Sequence, residues 1–161
     1  MTRRLLALLL VSVALVAVGC GSSKTNTGVT ATHVHYAKTK FAIHAGLAFG
    51  TFHHFIYDPF RAGDFAHPFT HKLDVIKAVA AGLFVEHEVK LALADAKGSK
   101  LLSHVVVPLG ALGSAVALVR AGIADHHPNA KQINYANSSI DSAEFNSTSA
   151  GQPIQEQVGS P

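Results

Sequence analysis

The chain contains a single cysteine, Cys20, among 161 residues. No internal disulfide can form, and no metal site can be built from several thiolates. Clustered basic charge is also absent. The formal net charge of +3 includes Arg3 and Arg4, so the rest of the chain carries only about +1. No stretch gathers lysine and arginine on one face, which excludes a nucleic-acid surface. A Gly-x-Ser-x-Gly elbow and a phosphate-cradling glycine loop are both missing. His87-Glu88 is followed by leucine at 91, where the HExxH zinc motif needs its second histidine. There is no CxxCH motif, so any haem would be held without a covalent bond. No internal repeat is evident. With no catalytic motif in its favour, the chain is read as a non-enzyme.

What is present begins at the N-terminus. Arg3 and Arg4 precede fifteen uncharged residues, Leu5 to Gly19, which end in Ala17-Val18-Gly19-Cys20. A spanning helix needs roughly 20 apolar residues, so the run is short for a permanent anchor and has the layout of a secretory signal peptide. Its ending resembles the lipobox of bacterial lipoproteins. That resemblance covers residues 1–20 only. It implies cleavage before Cys20, a diacylglycerol on its thiol and a further acyl chain such as palmitate on the new amino terminus. It also implies a body held outside the cytoplasm, on the cell membrane or outer envelope, through lipid. Several acyl chains, at about 0.8 kcal/mol per buried methylene, would make that attachment lasting.

The remaining chain divides by composition. Residues 1–19 are the signal peptide, and residues 20–35 hold the lipidated cysteine and a small, polar, flexible tether. Residues 36–145 form the folded body, and residues 146–161 read as a polar, disordered tail. The body is expected to be all-α, a small up-and-down bundle of three long helices and a shorter fourth. The first helix spans Tyr36–Tyr57 and stops at Asp58-Pro59. Gly46 and Gly50 lie on one side of it, where a neighbouring helix could come close. An ordered connection follows, tied down by Tyr57, Phe60, Phe65 and Phe69. Thr70 is read as the N-cap of a second helix, His71–Lys97. Its apolar face is assigned to Val75, Ile76, Val79, Leu83, Leu93 and Ala94. Its wet face is assigned to Asp74, Lys77, Ala81, Glu88 and Asp95. The third helix, Lys100–Ile123, is expected to bend at Pro108 and to offer Ser103, Gly110, Ser114 and Ala121 as a close-contact face. The fourth is Asn129–Phe145. None of the three long segments has an uninterrupted apolar run of spanning length.

The eleven histidines outnumber the ten carboxylates. In an antiparallel bundle, helix levels bring His53, His54, His71, His126 and His127 to one end, with His67 in the adjoining loop. His44 comes level with Glu86 and His87, and Glu86 and Lys90 are read as a half-buried ion pair. Gathered imidazoles resist protonation, so their pKa values are expected to fall below the ordinary value. Two functions are compatible with this pattern. The first is a membrane-tethered, extracytoplasmic helical module that binds a protein partner or a second copy of itself, or supports the envelope, with no cofactor required. The alternative is a histidine-rich lipoprotein that binds metal or haem. In it His53, His54, His71, His126 and His127 hold zinc, copper or nickel, completed by Asp125 or Asp64.

Overall fold

A computed structural model describes residues 30–160, so Cys20 and the run before it lie outside the described residues. Those residues form a small all-α bundle with no strand among them. Helix α1 (Thr30–Phe52) continues through a π-helical turn, His53–Tyr57, into the short α2 (Asp58–Ala62). Asp58-Pro59 therefore does not end the helix, as the sequence suggests. Pro59 stands in the first turn of α2, where its missing N–H costs little. The backbone before it widens, so the Asp58 N–H reaches the His53 carbonyl. Gly63, at φ 87°, then closes α2 in the left-handed conformation that favours glycine.

A 3-10 turn, Asp64–Ala66, leads on, pinned by the buried Phe65. Next come α3 (Lys72–Lys97), a 3-10 segment (Lys100–Val105), α4 (Val106–Ala124) and α5 (Ala130–Ser149). The main interfaces join α1 to α3, α3 to α4 and α4 to α5. The N-cap of α3 is His71, whose side chain makes no capping bond, rather than Thr70.

The central helix, α3, buries a different face from the one its bulky residues suggest. Val75, Ala78, Ala81, Gly82, Val85, Glu88, Val89, Ala92 and Ala96 are buried, while Ile76 and Leu83 are exposed. The physical reason is that α3 is gripped from two sides. Small side chains let both neighbours approach, and the bulky residues fall on the outer arc. At Gly82 an added Cβ would lie 2.9 Å from the Arg120 Cβ, so glycine is needed for α4 to approach there. The small-residue face expected on α4 does not serve this purpose. Ser103, Ser114 and Ala121 are exposed, and nothing lies within 4 Å of a Cβ placed on Gly110.

Pro108 does not bend α4 from within, because it sits in the first turn, where the 3-10 segment ends. Its missing N–H would leave the His104 carbonyl without a helical partner. The side-chain amide of Asn146 donates to that oxygen at 3.0 Å. The end of α4 is closed by His126 at φ 61°, with the His126 and His127 N–H groups bonded to Ile123 and Gly122. This is the Schellman pattern, with histidine where glycine is usual. Asn129 caps α5, accepting from the N–H groups of Lys131 and Gln132.

Residues 146–160, read from the sequence as a disordered tail, also differ from the expectation. Helix α5 runs on to Ser149, and Gln152–Ser160 runs along α1 without helix or strand. The Gln157 N–H bonds to the Gly46 carbonyl at 2.9 Å, and the Gly159 N–H to the Thr51 hydroxyl at 2.8 Å. The Ser147 hydroxyl donates to the Gln152 carbonyl, holding the start of the segment. Gly46 and Gly50 thus admit the backbone of this strap rather than a helix. A Cβ at Gly50 would stand 2.5 Å from the Gln157 carbonyl oxygen.

Candidate functional site

Three imidazole–carboxylate groupings stand out once the helices are placed. The first joins α1 to α3. His44 Nδ1 lies 2.6 Å from Glu88 Oε2, and its Nε2 lies 3.9 Å from Asp95. Glu88 is buried, contrary to its expected position on the wet face, and His44 is the partner that permits this. Glu86 does not pair with Lys90, as expected. It accepts a 2.6 Å bond from Arg120 Nε on α4, across the glycine gap at Gly82.

The second grouping gathers around the π-helical turn, which re-aims successive side chains there. His53 Nδ1 lies 2.7 Å from Glu156 Oε1 of the C-terminal strap, and Nε2 lies 2.9 Å from Asn137 Oδ1 on α5. The orientation of Asn137 is fixed by its other bond, in which Nδ2 donates to Asp141 at 3.2 Å. Both ring nitrogens of His53 therefore face acceptors, and only the charged ring can donate to both at once. Burial lowers the pKa of His53. The bonds to Glu156 and Asn137 and the charges of Glu156 and Glu144 outweigh it, and the net shift is upward. The expected depression of histidine pKa values is thus reversed at this residue. Glu144 is also pushed up, by burial first and then by the neighbouring charge of Glu156.

The third grouping lies at the start of α3. Asp64 from the 3-10 turn, His71 at the N-cap and Asp74 one turn into the helix each offer a ligand atom, all within 4.8 Å of one another. His71 Nδ1 stands 3.3 Å from Asp74 Oδ2 and 3.8 Å from Asp64 Oδ1. All three side chains are partly exposed.

The histidines predicted to share a site occupy one end of the bundle but face different ways. His54 lines a hollow of about 120 Å³ with Phe55, Pro59, Asp74 and Lys77. His71 faces Asp64 and Asp74, whereas His53 faces α5 and the strap. His126 packs on Phe69, with ring centroids 5.7 Å apart, and both His126 and His127 are exposed at the cap of α4. Asp125 is exposed beside them, whereas Asp64 does meet His71. Sequence reasoning named Asp64 and His71 but placed Asp74 merely on a wet face. The spacing of His71 and Asp74, three apart on one helical face, is the signal that could have paired them. Asn137 and Glu156 could not have been found without the path of the strap.

Helices α4 and α5 also expose apolar surface. A groove of about 290 Å³ is lined by Val107, Pro108, Ala111, Tyr135 and Asn146, among others. A second groove of about 410 Å³ shares Asn146 and adds Leu101, His104 and Phe145. Val107 is 79% exposed and Phe145 73%. The described segment Lys100–Ala124 is long and apolar enough to pass as a membrane span by length and composition, at a mean hydropathy of 1.9. Its Leu109, Leu112, Val116, Val119 and Ile123 nevertheless lie in the bundle core. Comparison with family models, curated proteins and solved structures gives no match.

Proposed function

We propose that this chain is a non-enzymatic, lipid-anchored helical module, displayed outside the cytoplasm, that binds a protein partner through the α4–α5 face. The anchor rests on the signal-like run and on Cys20. The observation that carries the binding role is the pair of adjoining grooves rimmed by Leu101, Val107, Tyr135 and Phe145. Grouped exposed apolar side chains on a folded surface mark interaction sites more often than chance. The serines of α5 and Asn146 give that face hydrogen-bonding groups between its apolar contacts.

A photo-activated cross-linker placed at Val107 in cells should give one discrete adduct, lost when Phe145→Glu is added. The same cross-linker at Ile76, which is exposed on α3, should give none. No adduct from Val107, or equal adducts from both positions, would contradict the reading.

A further inference from the structure

We propose that Asp64, His71 and Asp74 form a binding site for a divalent transition-metal ion, with zinc as the best fit. The case begins with an internal comparison of imidazole–carboxylate contacts. His44 meets Glu88 at 2.6 Å and His53 meets Glu156 at 2.7 Å, the short separations of charge-assisted hydrogen bonds. His71 Nδ1 faces two carboxylates and reaches neither at that range, standing 3.3 Å from one and 3.8 Å from the other. Those separations suit a different arrangement. Ligand atoms about 2.0–2.1 Å from a tetrahedral zinc stand about 3.3 Å apart. The three atoms lie within 4.8 Å of one another, so a small side-chain rotation closes them on a shared ion.

The donor chemistry agrees. Two carboxylates and a neutral imidazole supply two negative charges, which balance a divalent cation. With no thiolate in the set, soft ions such as copper(I) gain nothing. Copper(II) and nickel prefer tetragonal geometry, whose adjacent ligand atoms stand about 2.8 Å apart, closer than the 3.3 and 3.8 Å found here. The side-chain exposures of 27–39% leave room for water at the fourth position.

The backbone is also set in advance. Gly63, at φ 87°, turns the chain so that Asp64 comes back towards α3, and buried Phe65 fixes that turn. The His67 carbonyl accepts from the N–H groups of Thr70 and His71, which holds the approach to the N-cap. Asp74 follows three residues later on the same face. Lys77 shares the small hollow with Asp74 and His54 and is the cation an incoming ion must out-compete there.

The site deepens the metal-binding alternative, keeping His71 alone of the five histidines grouped by sequence and joining it to Asp64 and Asp74, and it is independent of the α4–α5 binding role. The test is metal titration of the full chain, purified in detergent without an affinity tag. Zn²⁺ should bind at one equivalent at pH 7.5 and raise the melting temperature. Asp64→Asn and Asp74→Asn keep side-chain shape, and each should weaken zinc at least tenfold, as should His71→Ala. A double variant, His126→Ala with His127→Ala, should retain affinity. Circular dichroism of the metal-free variants separates loss of binding from loss of fold. Co²⁺ in place of zinc should give the visible absorption of a tetrahedral ion, lost in His71→Ala. Unchanged zinc affinity in all three ligand variants, or equal loss in the His126/His127 variant, would overturn the proposal.

Discussion

Both ring nitrogens of His53 face acceptors, so the fold favours the charged form of this imidazole. Its pKa is raised above the ordinary 6.5, so its contribution to stability is fully present below that value. That contribution is lost as pH rises through the higher folded-state value. Glu144, also shifted upward, acts with the same sign in a lower window, because its folded form retains a proton that the unfolded chain has released. Melting temperature should therefore fall between pH 6 and pH 8.5, and His53→Gln should flatten that dependence. A profile unchanged by the substitution would show that the Glu156 contact does not hold in solution. The sequence revealed which end of the bundle carries His53 but not the direction of its shift. Grouped imidazoles repel protons, whereas this one is surrounded by carboxylates arriving from α5 and the strap. His44 was more legible. It was expected level with Glu86 and His87, and its partner is Glu88, one position further along.

Among the elements, α4 and the strap depart most from what the sequence suggests. The 3-10 segment Lys100–Val105 forms the crossover rather than the start of a helix. Gly82 meets Arg120 across the interface that follows it. Hydrophobic spacing reads poorly where a turn ends and a helix begins. The closing turn of α4 gives a direct prediction. His126 occupies a left-handed position that costs a side-chain-bearing residue about 1 kcal/mol. His126→Gly should raise stability by about 0.5–1 kcal/mol in denaturant unfolding, whereas unchanged or lowered stability would contradict the cap geometry.

The strap was hidden for another reason. Its residues are polar and small, which reads as disorder, yet its backbone bonds to α1 through a path opened by Gly46 and Gly50. Gly50→Ala should push the strap off at a cost of about 1–3 kcal/mol, as overpacking does. Hydrogen exchange should report the change as lost protection at the Gln157 and Gly159 amides. Retained protection in this variant would mean that the strap does not depend on that gap.

At the scale of the whole molecule, an all-α bundle was legible because its segments are long, helical in spacing and separated by Gly-Ser and His-Pro breaks. Its functional surfaces were less so, since they depend on which arc of each helix the neighbours leave uncovered. The α4–α5 face and the Asp64–His71–Asp74 site lie on different parts of one body, so either can be removed by mutation without touching the other. Under the proposed function, what unites them in a single role is a lipid tether on Cys20, which would hold the body at a membrane. The most direct test is mass spectrometry of the N-terminal peptide of the chain recovered from membranes of an expressing bacterium. The account predicts a mature chain that begins at Cys20 and carries a diacylglyceryl group and an additional acyl chain. An intact N-terminus with a free Cys20 thiol would contradict it.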